Sequence, residues 1–280
     1  AGLINSGDVL YYILMPALFI GMSIMKLQFA RQSKPWYMKV VKYLALVIVI
    51  VGIGYATSRR STVCITDLSR DEQLTLTPKS REILKRYDGQ ELTLTTYVNI
   101  MDEHMAAKLF PRSRIGDMSV FSKYYRFKPD MKLKYVYYYD TTSNPMLDRR
   151  FPNATLREKM VEVCKIYGLD SNKFMGPEEI RKIIDLSGEN NTFVRQIVRD
   201  NGEKAWLRIY NDMQRFPSEK EISAAFKRMV MDLPKVGFVE GHGERSYSGG
   251  KDRDYSAFAN DKGFRYALEN QGFDVTRVSM

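Results

Sequence analysis

The amino-acid sequence predicts an α/β fold. Two N-terminal transmembrane helices are followed by an extracytoplasmic domain with a largely parallel sheet and one antiparallel hairpin. Residues 1–58 are apolar with few charges, whereas residues 59–280 have the charged, tyrosine-rich composition of a globular domain. Helical and extended patterns alternate in the second part, which is typical of crossover connections between parallel strands. The hairpin is predicted at Asn201-Gly202, a junction typical of two-residue turns.

The most apolar segment is Tyr43–Ser58, sixteen residues without a charge. Together with the preceding WYMKVVK it reaches about 20 residues, the length that a helix needs to cross a bilayer. A buried core helix or strand is the alternative. A signal peptide is disfavoured because another apolar segment precedes this one. We therefore expect residues 43–58 to span a membrane.

The preceding apolar segment is uncharged from Val9 to Met25, follows Asp8, and contains Pro16 as a site for a kink. With the uncharged residues at its N-terminal flank it forms a second expected span, residues 1–28. The two spans together predict a multi-pass membrane protein.

A basic segment joins the spans, and we predict it as a loop, residues 29–42. The cations of this region are Lys26, Arg31, Lys34, Lys39 and Lys42, and no acidic residue lies among them. Short loops rich in Lys and Arg stay on the cytoplasmic side. The opposite flank has only Arg59 and Arg60. We therefore expect a cytoplasmic (inner) membrane protein whose large domain, after Thr57, lies in the periplasm.

The remaining elements are predicted from caps, turns and periodicity. Thr77 and Pro78 open one helix, and Ser218 with Glu221 forms a capping box for another. The predicted helices lie within 75–89, 114–127, 155–168, 176–186, 218–233 and 254–272. The predicted strands lie within 91–99, 132–139, 191–200, 203–210, 235–244 and 273–279. A seam at Pro217 divides the domain into 59–216 and 217–280.

Composition excludes several classes of function. The net charge of +10 could indicate nucleic acid, but acidic residues are interspersed and no zinc-finger spacing is present, so we expect no nucleic acid partner. The two cysteines, Cys64 and Cys164, cannot build a metal cluster. They could form one disulfide or remain unpaired thiols.

Because Ala1 is not an initiator methionine and the chain stops in a predicted strand, we expect a piece of a longer protein.

A glycine-rich turn is the sharpest candidate site. Its residues are Glu240, Gly241, His242, Gly243 and Glu244, at the carboxyl end of a predicted strand. Open α/β sheets bind ligands there, and glycine allows close approach of the backbone. A polar ligand such as a sugar or peptide is one interpretation. A purely structural turn is the other.

Catalytic motifs are weak. Residues 246–252 resemble a phosphate-binding loop only superficially, because Arg245 and Asp252 stand where a Walker A loop needs glycine and Ser or Thr. His104 lacks the spacing of a metalloprotease motif. The segment Phe110–Tyr139 contains both cations and tyrosines. One interpretation is a surface that binds anionic lipid headgroups or glycans. The other is an amphipathic helix followed by a half-exposed strand. We expect neither enzymatic activity nor a cofactor nor a metal.

Several segments together resemble a known family. The motif begins with Asp67-Leu68-Ser69 and, after five further residues, continues with Thr75-Leu76-Thr77-Pro78. A helix and the strand Leu92–Tyr97 follow it. This order resembles the extracytoplasmic part of gliding-motility-type ABC transporter auxiliary proteins, the GldG-like family. Val236–Glu244 resembles the same family's later strand and GHGE segment, so the resemblance covers about Val40 to Met280. The segment Asn99–Ser113 departs from the family pattern.

The N-terminal segment adds a second resemblance. Gly2–Tyr12 is similar to the start of the last transmembrane helix of the partner ABC-2-type permease. Together the resemblances imply a permease–auxiliary fusion in an ABC-type export system. Its partners would be an ABC ATPase subunit, which would hydrolyse ATP, the permease, the lipid bilayer and an envelope protein or glycan. A membrane-tethered glycan-binding or glycan-processing domain and a structural tether in an envelope complex are the alternatives.

Overall fold

The computed structural model describes residues 3–32, 35–59, 65–72, 74–103, 113–241, 243–247 and 254–279. The chain is mixed α/β and divides into two compact units, Ala1–Leu76 and Thr77–Met280. The boundary expected between residues 216 and 217 falls inside the second unit.

The first unit is a helical hairpin closed by a short pair of strands. Strand β1 (Leu3–Asn5) runs antiparallel to β2 (Ile65–Asp67). Helices α1 (Ser6–Arg31) and α2 (Trp36–Thr57) lie between them. At 1.5 Å per residue these helices are about 39 and 33 Å long. Both are long and apolar enough to cross a membrane, which confirms the predicted pair of apolar helices.

The connection between these helices is shorter than the predicted loop. Because α1 continues to Arg31 and α2 begins at Trp36, the residues 29–42 are mostly helical. Between the two helices, Gln32 and Pro35 are the described residues that are not helical. Lys26 therefore lies on α1, and Lys39 and Lys42 lie on α2.

The second unit contains a four-stranded sheet in the order β4-β3-β5-β6. Its strands are β3 (Leu92–Asn99), β4 (Lys132–Tyr138), β5 (Val194–Arg199) and β6 (Lys204–Arg208). Strand β3 pairs in parallel with β4 and antiparallel with β5. The predicted hairpin is confirmed: β5 and β6 are antiparallel, and Gly202 supplies the positive φ of +88° that the turn requires.

The prediction of one largely parallel sheet is wrong in its detail. Strand β5 pairs antiparallel with β3 as well as with β6, so two of the three strand pairings in this sheet are antiparallel. Strands β7 (Lys235–Glu240) and β8 (Asp274–Ser279) form a separate parallel pair. Gly237 allows their close approach, because a Cβ there would lie 2.5 Å from Val278 Cγ2.

Two helices of the second unit begin at the caps predicted for them. Thr77 accepts from the Ser80 amide, and Ser218 and Glu221 form the predicted capping box. The predicted helix 254–272 shortens to four residues, because the chain turns at Asn260–Gly263, where Gly263 O accepts from Asn211 N. The helices are α3 (Pro78–Lys85), α4 (Arg114–Val120), α5 (Ser122–Phe127), α6 (Pro145–Arg150), α7 (Leu156–Tyr167), α8 (Pro177–Ile183), α9 (Glu219–Arg228) and α10 (Ser256–Ala259).

A buried ion pair joins α4 to β5. Asp117 accepts two hydrogen bonds from the Arg195 guanidinium, at 2.6 and 2.9 Å, and both side chains are buried. Tyr135 Oη on β4 donates to the same carboxylate at 2.6 Å. Burial, followed by the nearby Asp117, raises the pKa of Tyr135. Arg195 also lies over the rings of Phe121 and Phe193.

We predict that Asp117→Ala lowers the free energy of unfolding by about 3–5 kcal/mol, because it leaves the buried Arg195 charge uncompensated. Denaturant unfolding of the full chain in detergent, followed by circular dichroism, measures the change. Glu162→Ala is the matched control. It removes an equally short but solvent-exposed pair with Lys165 and should cost about 0.5 kcal/mol or less. Equal effects of the two variants would contradict the assigned role of the buried pair.

Candidate functional site

The predicted glycine-rich turn follows β7 directly. The carboxylate of its first residue, Glu240, binds both the chain after the turn and strand β8. Glu240 Oε1 accepts from Ser246 Oγ at 2.8 Å and from the Tyr247 amide at 3.1 Å. Its other oxygen lies 3.1 Å from Arg277 Nε on β8. The hydrogen bond from Ser246, then the one from Tyr247 and the Arg277 charge, lower the pKa of Glu240. Glu240 therefore fastens the turn to the β7–β8 pair.

The two glycines supply backbone shapes that other residues avoid. Gly241 has a φ of +137° and Gly243 a φ of +93°. Glu244 is exposed, and His242 lies outside the described residues. The ring centroid of Phe238 on β7 lies 5.7 Å from the ring centroids of Tyr247 and Tyr255. These two contacts pack the residues that follow the turn onto β7. Ligand binding by this turn stays a prediction.

A cleft lies at the carboxyl end of β4. Its volume is about 610 Å³, and its walls come from α7, α8 and the turn at residues 171–176. The turn is fixed to the sheet because Met175 exchanges backbone hydrogen bonds with Tyr137 and Tyr139. The buried side chains of Met160 and Phe174 form the apolar part of the lining.

Charged groups of both signs line this cleft. Arg181 Nη2 donates to both oxygens of Asp140, at 3.0 and 2.9 Å, while most of the Arg181 side chain stays exposed. Arg157, in the first turn of α7, is exposed. On α8, Glu178 is accessible, and Glu179 accepts from the Gly176 amide at 2.7 Å. The cleft therefore has an exposed cation, Arg157, and an exposed acid, Glu178, in its lining.

A buried amide holds the strand ends beside the cleft. The Asn99 side chain, at the end of β3, has no exposed surface. Its Nδ2 donates to the carbonyls of Asp140 and Asn191, and its Oδ1 accepts from the amides of Met101 and Asp140. Asp102, also buried, accepts from the Phe193 amide at 2.8 Å. These bonds fix the carboxyl ends of β3 and β4 relative to β5.

Sequence reasoning did not find this cleft. The one available signal was Asp140 directly after a strand, the same position rule that singled out Glu240. Arg157 and Arg181 lie on separate helices, so no sequence spacing connects them. Tyr139 follows β4, and its hydroxyl would lie 3.3 Å from a Cβ at Gly176. A side chain at residue 176 would therefore press on this wall of the cleft.

The residues predicted to set membrane topology gather at the turn of the helical hairpin. Lys26 and Arg31 lie in the last part of α1, and Lys39 and Lys42 in the first part of α2. Lys34 is outside the described residues. Sidedness itself stays a prediction.

The described residues hold no group of three or more His, Cys, Asp or Glu side chains placed to bind a metal ion. Cys164 is a buried free thiol, and burial, then the nearby Asp170, raises its pKa to about 11. Such a thiol is a poor nucleophile. Cys64, His104 and parts of the segments 110–139 and 246–252 lie outside the described residues.

No protein-family model, no curated protein and no solved structure matches this chain.

We predict that Glu240→Ala speeds amide exchange at Tyr247 severalfold, because that amide loses its acceptor. Acidification should act in the same direction. A carboxylate whose pKa is lowered on folding stabilises the turn fully above its ordinary pKa of 4.5 and loses this effect as the pH falls through the lowered value. Hydrogen–deuterium exchange, corrected for the intrinsic pH dependence, measures both. Asp232→Ala, an exposed acid just before β7, is the control. Unchanged protection in Glu240→Ala would show that the carboxylate does not hold the turn.

Proposed function

We propose that this chain is a membrane-anchored, permease-linked accessory component of an ABC-type export system of the gliding-motility type. Its helices α1 and α2 would lie in the cytoplasmic membrane as a hairpin, and the unit Thr77–Met280 would bind a substrate or partner protein in the periplasm. The chain would not be an enzyme. ATP hydrolysis would belong to a separate subunit.

The observation that carries the membrane part is the exposed apolar surface of α1 and α2. None of the most apolar stretch of either helix is buried. Phe19, Ile20, Ile48 and Val51 each expose about 60% of their surface. Each such side chain gains roughly 1.5–3 kcal/mol when it leaves water. The hydrocarbon core of a bilayer, about 30 Å thick, would provide that environment along the apolar stretches of both helices.

The transport part is supported by the resemblance in sequence. The opening motif Asp67–Pro78 follows an apolar helix, as in the auxiliary proteins of these exporters. The Asp67 side chain accepts from the amides of Ser69 and Leu74, so the first residue of the motif holds both of these residues beside it. The sequence offers no Walker A loop, which agrees with a separate ATPase subunit.

The binding part is supported by the cleft at the carboxyl end of β4. Parallel strands place ligands at this end of a sheet, and the polar network around Asn99 holds the position of the strand ends there. The cleft of about 610 Å³ combines apolar lining with exposed Arg157 and Glu178. That combination suits a peptide segment or another polar ligand with charges of both signs.

The complex can be tested on the full chain, purified in mild detergent from its native membranes. We expect an ABC ATPase subunit to co-purify, identified by mass spectrometry and by vanadate-sensitive ATP hydrolysis. Arg157→Glu changes the cleft, which would face the other side of the membrane, and should leave this co-purification unchanged. In intact spheroplasts, added protease should digest residues 77–280.

Two results would overturn the proposal. A chain that purifies without an ATPase is not part of an ABC-type system. Protection of residues 77–280 in intact spheroplasts, with digestion after lysis, would place the domain in the cytoplasm and reverse the proposed topology.

A further inference from the structure

The sequence of the helical hairpin contains several cations and no acidic residue after Asp8. Between Asp8 and Asp67 the sequence contains no Asp or Glu. Lys26 follows Asp8 by 18 residues along α1, a separation of about 27 Å. We call Lys26, Arg31, Lys39 and Lys42 the basic cluster. Its four charges gather at one end of the hairpin, so their counter-ions must come from outside this segment.

Two members of the basic cluster meet at one aromatic ring. The ammonium nitrogens of Lys39 and Lys42 lie 6.0 and 5.9 Å from the ring centroid of Phe29, which is buried. Lys39 Nζ also lies 3.4 Å from the Phe29 carbonyl oxygen. Tyr43 packs edge-to-face on the same ring at 5.5 Å. Lys39 and Lys42 are three residues apart and therefore lie on one face of α2, so an anion beside this face would be attracted to both.

The neighbouring aromatic residues indicate the depth of this cluster. Trp36 and Tyr37 begin α2 and are 75% and 54% exposed. Trp and Tyr with one apolar and one polar side are typical of the membrane–water interface. The basic cluster therefore lies where phospholipid headgroups would lie.

We propose that the basic cluster binds the phosphate groups of anionic phospholipids, with Lys39 and Lys42 as its centre. This inference rests on the proposed insertion of α1 and α2 into a bilayer. Lysine binds phosphate as a compact point charge, and basic residues beside a membrane helix attract anionic lipid through their summed charge. An acidic protein partner would use the same cations, and the experiment separates it because only lipids are supplied.

The full chain is reconstituted into nanodiscs that contain equal amounts of phosphatidylglycerol and phosphatidylcholine. Native mass spectrometry then measures which lipids stay bound after release. We expect retained phosphatidylglycerol to exceed phosphatidylcholine. The excess should fall in high salt, because screening shortens the reach of these charges.

The double variant Lys39→Gln and Lys42→Gln should lower the preference by up to about fivefold for each charge removed. Lys39→Arg with Lys42→Arg keeps both charges and should retain the preference. Lys182→Gln with Lys235→Gln removes two exposed cations from the other unit and should also retain it. A preference lost equally in this control would place lipid binding outside the basic cluster and overturn the inference.

The two proposals fail in different ways. A chain that does not enter nanodiscs, or that alkaline carbonate extracts from membranes, contradicts membrane insertion. A chain that inserts but retains the two lipids in the ratio supplied contradicts the anionic-lipid site while leaving insertion intact.

Discussion

The constraint on which the structure depends is the apolar surface of α1 and α2. Helices of 26 and 22 residues leave their most apolar stretches uncovered by protein. Helical geometry pairs the backbone N–H and C=O groups of those stretches within each helix, except at Pro16, which has no N–H to donate. Only helices and closed barrels can satisfy the backbone in this way inside a bilayer. The basic residues and the interfacial aromatics gather at the hairpin turn, so charge and hydrophobicity separate along the helix axes. The expected topology and the proposed lipid contact both follow from this separation.

The second unit is held by buried polar groups as well as by its apolar core. Asp117 and Arg195 join α4 to β5, Asn99 joins the ends of β3 and β4 to the chain before β5, and Arg265 joins Asp212 to Glu221 at 2.6 and 2.9 Å. The last of these groups links residues on both sides of Pro217. Buried charges and amides must find partners, so each group fixes one relative position of its elements. Of these groups, the Asn99 network lies beside the cleft and fixes the ends of β3 and β4 there.

Local signals predicted the parts of this fold that local chemistry determines. The caps at Thr77 and Ser218, the turn at Asn201-Gly202 and both apolar helices were predicted because each depends on neighbours in sequence. The sheet order was not, because insertion of β5 beside β3 depends on pairing over about 100 residues. Asp117 and Arg195 are likewise 78 residues apart. The cleft was missed for the same reason, since Tyr139, Arg157 and Arg181 share no motif. The turn at Glu240 was predicted from its glycines. In the structure the Glu240 carboxylate binds Arg277 on β8.

Labelling of the native chain from within the bilayer tests whether lipid covers α1 and α2. The chain is placed in nanodiscs of phospholipid that carries a photoactivatable diazirine near the middle of its acyl chains. After illumination, mass spectrometry locates the adducts. We expect adducts on Val9–Met25 and Tyr43–Thr57 and none on Thr77–Met280, which is the pattern of two helices covered by lipid. Adducts confined to the second unit, or a chain that stays soluble without lipid and acquires none, would contradict it.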